Sequence, residues 1–305
     1  MTSAGGAPLL LPADLGPGAR GGFTTRAGGV SGGPYAGGRA GGLNLGRHVG
    51  DDPSAVLANR GRLAAAVGAP VAWMDQVHGA RVRVLDGPPR PGSVSVGECD
   101  ALVAAGRAGA DRPAAEGDGR VPVAADGGPV PVAADGPVPV AVLVADCVPV
   151  LIADAHGRGV AAVHVGRQGL VRGVLAAALA ELAARGIAAG DLYAAVGPSI
   201  CGRCYEVPAA LRREVDALVP GTAATTSWGT PALDLPAGAL RQLGEAGVAR
   251  ISHLAACTLE DDRFYSYRRA ARDTGSAATG RFAGVVMARR PDVAVPRTHA
   301  AGAPR

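Results

Sequence analysis

The amino-acid sequence predicts an α+β fold: one domain over residues 1–289, with mixed β-sheets packed together and flanked by helices. Three observations carry this. The 305-residue chain is 48% hydrophobic, enough for one large core or two ordinary ones. The stretch AVLVADCVPVLIADAHGRGVAAVHVG at 141–166 is a series of short, Val-rich runs cut by turn residues, which favours strands over helices. Elsewhere helical and strand patterns intermix without the regular βαβ alternation of a doubly wound sheet.

The Gly-rich segment FTTRAGGVSGGPYAGGRAGGLNLGRHVGDD reads as an irregular loop, although Gly clusters also let backbone N–H groups curl around an anion. Asp52-Pro53 supplies an N-cap and a first-turn proline, and Gly68 closes the helix they open. Val56, Leu63 and Val67 share its apolar face, and Arg60 falls about 40° from Val56. An Arg there must find a carboxylate or phosphate, or reach out to solvent. VAWMDQVHGARVRVLD reads as two short strands broken at His78-Gly79, and SVSVGECDALVA as a strand in which Asp100 is a turn or cap residue. From about 105 to 139 a near-repeat (VPVAADGG, VPVAADGP, VPVAVLVADC) predicts a low-complexity surface insertion.

Within the central stretch, Val148–Ala153 and Gly159–Val165 are expected to pair across the turn Asp154–Arg158. If Ala153 faces Gly159, Cys147 lies opposite Val165, with His164 one residue away. A slip of one makes Cys147 and His164 direct partners, and turn length does not decide the register. Downstream, Val171, Val174, Leu175, Ala178 and Leu182 form a helical stripe ending near Gly186. A strand at 191–197, helices at Pro208–Val219 and after Asp234, and a strand near 249–254 follow. Residues 290–305 read as a disordered, Pro-containing tail.

Composition excludes several functions. All 30 basic residues are Arg, so a Walker A loop and Lys Schiff-base chemistry are absent. A net charge of +4 and only 3% aromatic residues argue against a nucleic-acid surface. No apolar run approaches the ~20 residues of a membrane span and the N-terminus lacks a signal-peptide pattern, so the expectation is a soluble, cytoplasmic protein. Five scattered cysteines suit thiols or metal ligands better than a disulfide framework.

His78, Cys147 and His164 together permit a zinc site with an open fourth position, a blue-copper site with Met74 as axial donor, or a metal-free thiolate–imidazole pair. The residues alone leave these open, beside the plain reading of a buried Cys next to a core His. Cys201-x-x-Cys204 lacks the P-C-x-x-C and H-x-E pattern of a zinc deaminase, and is expected to be a loop with incidental thiols rather than a redox pair.

The order of FTTRAGGVSGGPYAGGRAGGLNLG, RHVGDDPSAVLANRGRL, MDQVHGARV, CDALV, ADCVPVLIAD, AAVHVGRQGL, AAVGPSICGRCYEV and CTLEDDRFYSYRR with TGRF resembles one family across residues 20–289. It is the laccase-domain family, known also as multicopper polyphenol oxidase, peptidoglycan editing factor and purine nucleoside phosphorylase. The resemblance implies a single catalytic domain whose metal, zinc with copper as the alternative, is held by His78 of QVHG, Cys147 of ADC and His164 of AVHVG. It makes Asn44, Arg60, Gln76 and Arg268 substrate contacts. The implied activity is phosphorolysis of adenosine, inosine, guanosine and methylthioadenosine, with adenosine deamination beside it. The partners are then a purine nucleoside and phosphate, with the chain a monomer or homodimer. A peptidoglycan-precursor editing hydrolase and a copper polyphenol oxidase are the alternatives, though six histidines are few for a multicopper relay. Where the family often has HAGWRG this chain has HVGRQG, which places Arg167 where a family Trp stands.

Overall fold

The structure, a computed structural model, describes residues 9–37, 41–89, 94–105 and 136–289. Most of the low-complexity segment (106–135) and the tail (290–305) lie outside the described residues. The strands are β1 (Leu10–Pro12), β2 (Ala19–Thr24), β3 (Ala27–Ser31), β4 (Val82–Leu85), β5 (Ala101–Ala105), β6 (Val140–Val144), β7 (Val148–Asp154), β8 (Gly159–Val165), β9 (Leu192–Val196), β10 (Ala223–Thr225), β11 (Pro231–Leu233), β12 (Arg250–His253) and β13 (Phe282–Ala288). The α-helices are α1 (Pro53–Val67), α2 (Arg167–Val171), α3 (Val174–Ala183), α4 (Ala209–Leu218), α5 (Leu235–Glu245) and α6 (Tyr267–Thr274).

Two sheets make the body. One has the order β1-β2-β13-β6 and is antiparallel; the other, β12-β9-β7-β8-β5-β4, is mixed, with parallel pairs at both edges. A short β10-β11 ribbon stands apart. Side chains alternate across a strand, and the larger sheet is apolar on both faces. Val150, Ile152, Ala161 and Val163 pack with Leu170, Leu175 and Leu243 of α2, α3 and α5. Leu151, Ala153, Val160 and Ala162 meet Phe23, Val142 and Phe282 of the smaller sheet. The outer face of that sheet, with Ala141, Ala283 and Val285, is covered by Leu63 and Val67 of α1. The layers therefore run helix, sheet, sheet, helices, which is the predicted α+β architecture. Phe23 fills the inter-sheet space closely: a Cβ on Gly197 would come within 2.3 Å of its ring.

Local signals explain the element ends. Asp52 accepts a hydrogen bond from the Ser54 N–H, Pro53 opens α1, and Gly68 closes it at φ +78°. The predicted stripe from Val171 to Leu182 is split into α2 and α3, because Gly173 takes a left-handed conformation at φ +77°.

The strand expected over 93–104 is confined to Ala101–Ala105, the Gly-rich segment expected to be an irregular loop contributes β3, and two further expectations are corrected. The β7–β8 pairing is Val148↔Val165, Pro149↔His164 and Ala153↔Val160, one residue from the expected register, so Cys147 stands before β7 rather than opposite Val165. The cause is Asp154. Its buried carboxylate accepts the N–H groups of His156 and Arg158 and pairs with the Arg158 guanidinium at 2.7 Å, which draws Asp154 into the strand and shortens the turn. Second, Val71–Val77 forms isolated bridges, Ala72↔Val140 and Asp75↔Glu98, instead of a strand. Gln76 explains part of this: its amide donates to the Leu143 carbonyl at 2.7 Å and accepts from the Leu143 N–H at 2.8 Å, taking the place of a backbone ladder.

Candidate active site

By strand alternation His164 shares the face of Val160 and Ala162, which looks into the space between the sheets. It is the penultimate residue of β8, at the open end of that space. Cys147 follows β6 in the short link to β7, beside Asp146, whose φ of +94° is rare for a residue other than glycine. Asp146 is held there by the Thr258 hydroxyl at 2.7 Å and the Arg268 N–H at 2.7 Å. His78, exposed and also left-handed at φ +59°, approaches from the third side.

The ligand atoms of His78, Cys147 and His164 all lie within 4.8 Å of one another. Cys147 Sγ is 3.9 Å from His78 Nε2, and the two imidazoles meet edge to face at 4.7 Å between centroids. A zinc tetrahedron with Zn–S of about 2.3 Å and Zn–N of about 2.0 Å has S···N edges of roughly 3.5 Å. Gly166 completes the cradle: a Cβ there would meet His78 Cδ2 at 3.0 Å, Cys147 Sγ at 3.3 Å and His164 Cε1 at 3.6 Å. The donor set therefore fits one N/S-ligated metal ion, with a hollow kept clear by the glycine.

Asp100, expected to be only a turn or cap residue, organises both histidines. Its fully buried carboxylate accepts the N–H groups of His78 at 2.9 Å and Gly79 at 2.6 Å, and one oxygen lies 2.9 Å from His164 Nδ1. That contact places the Nδ1 proton of His164 on the Asp100 side and leaves Nε2 as the ring nitrogen available to a ligand. Burial opposes charge on Cys147, but His164 and His78 outweigh it and bring the thiol to about 6. Burial likewise opposes charge on His164, yet the Cys147 thiolate and Asp100 push it up to about 9. Without metal, the pair is a thiolate–imidazolium ion pair at neutral pH.

Above the donors opens a cavity of about 550 Å³, within the range of about 300–1,000 Å³ for small-molecule sites. Arg47, Arg60, Arg268 and Arg281 line it, with Tyr205 and Tyr267 as its aromatic surfaces. The predicted substrate contacts are placed unequally. Gln76 and Arg268 line the cavity; Arg268 also lies 4.9 Å from the Tyr205 ring centroid. Arg60 donates to the carbonyls of Leu45 and Val94, and lies 4.3 Å over Trp73. Burial brings its pKa down to about 10, which leaves it charged at neutral pH. Asn44 is fully buried behind the wall, donating to Asp51 and accepting from the N–H groups of Gly46 and Arg281. Arg167 begins α2, and its charge, with that of Arg268, opposes the burial that raises the Tyr205 phenol.

Asp100, Gly166 and Arg281 are the participants that residue patterns did not single out. Each sits in a quoted motif (CDALV, HVGRQG, TGRF), but its role depends on contacts distant in sequence. The second thiol of Cys201-x-x-Cys204 is the buried one. Burial and the neighbouring Cys257 push Cys204 up, the reverse of the lowered pKa that attacking thiols need.

The family described as multi-copper polyphenol oxidoreductase laccase matches residues 20–110 and 113–289. This chain belongs to that family. A purine nucleoside phosphorylase of Mycobacterium tuberculosis is 44% identical over 266 residues, covering 86% of this chain and 89% of the relative. One from Streptomyces griseus is 43% identical, covering 87% and 92%. Among solved structures, a Neisseria meningitidis protein superposes with a TM-score of 0.70 at 31% identity, covering 93% of this chain and all of that one. No helix among the described residues is long and apolar enough to cross a membrane.

Proposed function

We propose that this laccase-domain chain is a zinc-dependent purine nucleoside phosphorylase. The observation that carries the reading is the His78–Cys147–His164 donor set at the base of an Arg-lined cavity of nucleoside size, in a chain 44% identical to proteins of that name. His78, Cys147 and His164 would hold the zinc, which would supply Lewis acidity to a phosphoryl oxygen. Arg47 and Arg268 hold the phosphate dianion by charge-assisted hydrogen bonds, and Arg60 adds positive potential without leaving Trp73. Tyr205 and Tyr267 give the purine apolar faces and exclude water from C1′. A phosphate oxygen bonds to C1′ as the C1′–N9 bond breaks, and the proton of hydrogen phosphate passes to the leaving base. Adenosine, inosine, guanosine and methylthioadenosine share the atoms this requires. Deamination of adenosine at the same site would need a second pose, with C6 over the donors.

Incubation with inosine and phosphate is expected to give hypoxanthine and ribose 1-phosphate. Base release at the same rate without phosphate overturns the proposal.

One observation favours a second reading. Cys147, brought to about 6, His164 and Asp100 form a thiolate–imidazole–carboxylate series that suits metal-free hydrolysis of an amide, as in editing of a peptidoglycan precursor. Amide hydrolysis that survives chelation and is lost on alkylation of Cys147 would favour it.

A further inference from the structure

A second set of metal-type donors lies outside the cavity lining. Cys201, Cys204, Cys257 and Glu260 place their ligand atoms within 4.8 Å of one another. They arrive as two matching turns, C-x-x-C and C-x-x-E. In the first, the N–H groups of Cys204 and Tyr205 both donate to the Cys201 carbonyl, each at 2.9 Å. In the second, the N–H groups of Glu260 and Asp261 donate to the Cys257 carbonyl at 3.1 Å and 2.8 Å. A parallel bridge between Ser199 and Cys257 docks one turn against the other. Two like turns, each offering donors three residues apart and facing each other, are the construction of a zinc knuckle.

We infer that Cys201, Cys204, Cys257 and Glu260 form a second, structural zinc site. All four positions of a tetrahedron are supplied by the protein, which closes the site to substrate. With Zn–S of about 2.3 Å the S···S edges are about 3.8 Å, so donors within 4.8 Å need to close in by at most about an ångström on binding. Three thiolates and a carboxylate give the zinc complex a net charge of −2. Arg203, whose guanidinium is 3.7 Å from Glu260, offsets part of it. Cys204 and Cys257 are buried, while Glu260 is the exposed corner through which the ion enters. The site braces the catalytic pocket without joining it. Tyr205 of the cavity wall is the residue after Cys204, and the Ile200 N–H donates to the Asp146 carbonyl at 3.0 Å, next to Cys147.

The test is zinc stoichiometry by elemental analysis, on full-length chain reduced, stripped with chelator, reloaded with zinc(II) and desalted. Two zinc ions per chain are expected for the unaltered protein, one for Cys147→Ala, one for Cys257→Ser and none for the double variant. Cys147→Ala reads the second site alone, so failure here is separable from failure of the phosphorylase proposal. Zinc absent from Cys147→Ala, or a count unchanged by Cys257→Ser, overturns the inference. Glu260→Gln alters an exposed position that folding tolerates, and on the Cys147→Ala background should weaken zinc binding by on the order of tenfold or more. Thiol titration of Cys147→Ala should find Cys201, Cys204 and Cys257 masked until chelator is added. Thiols that stay unreactive after chelation but appear with reductant would show a disulfide, and also overturn it.

Discussion

Asp100 Oδ1 lies 2.9 Å from Nδ1 of His164, and both side chains are almost wholly withdrawn from solvent. A carboxylate in that position fixes the ring's orientation and tautomer and raises the basicity of the nitrogen that faces the metal. Asp100→Asn should keep the fold while weakening zinc binding at this site by roughly 10–100-fold. Competition with a chromogenic chelator on the purified variant measures it, and unchanged affinity would remove Asp100 from its positioning role.

Gly166→Ala tests the cradle by itself. The φ of −79° at this position suits any residue, so backbone strain is not an issue. The added methyl would crowd His78 at 3.0 Å and Cys147 at 3.3 Å, while meeting His164 at an ordinary contact distance of 3.6 Å. A thermal midpoint close to that of the unaltered chain is expected, with zinc retention and phosphorolysis both reduced at least about tenfold.

Zinc binding at this site should release protons. Between pH 6 and 9 Cys147 is already a thiolate, whereas His164, raised to about 9, carries a proton that the metal must displace. About one proton per zinc bound at this site is expected at pH 7.5, read by calorimetry on the Cys257→Ser variant in two buffers of different ionisation enthalpy. Below pH 6 the thiol also protonates, so affinity falls further as pH drops.

The β7–β8 turn rests on a buried charge. Asp154 is completely inaccessible to solvent, and its partner Arg158 with the turn N–H groups holds its carboxyl below the usual value. A depressed carboxyl contributes stability that is present above about pH 4 and is lost as pH falls through the folded-state value. Asp154→Ala should cost on the order of 3 kcal/mol in denaturant unfolding and flatten the acid limb of the stability profile. Zinc affinity at the distant His–Cys–His site is expected to stay the same.

Arg47 stands exposed on the rim of the cavity. Arg47→Ala should raise the KM for phosphate about tenfold, the worth of one charge-assisted hydrogen bond, and leave the KM for inosine nearly unchanged. Equal effects on both substrates would move the phosphate elsewhere.

The hairpin and α1 were legible because their signals are local: Val-rich runs bounded by turn residues, and an Asp-Pro start closed by Gly68. The hairpin register was not, because it depends on which backbone groups the Asp154 side chain captures. That His78, Cys147 and His164 belong together was expected from motif order, and their ligand atoms lie within 4.8 Å of one another. Asp100 was misread, since nothing within five residues of it reveals a bond to a strand 64 residues later. Arg60 was placed on the right face, but its partners are carbonyls and a Trp ring brought in from other segments. The equal spacing of C-x-x-C and C-x-x-E is visible on the page; that the two turns face one another comes from the Ser199–Cys257 bridge alone.

Strand β5 has a polarity that bears on how this chain can change length. Asp100 immediately precedes it, and the segment 106–135 departs from its other end, returning ahead of β6, which in turn ends just before the Asp146-Cys147 link. Each strand is five residues long and spans about 17 Å, so the far ends of β5 and β6 are separated by that length from Asp100 and from the Asp146-Cys147 link. A change of length between β5 and β6 would therefore enter at the strand ends away from Asp100 and Cys147.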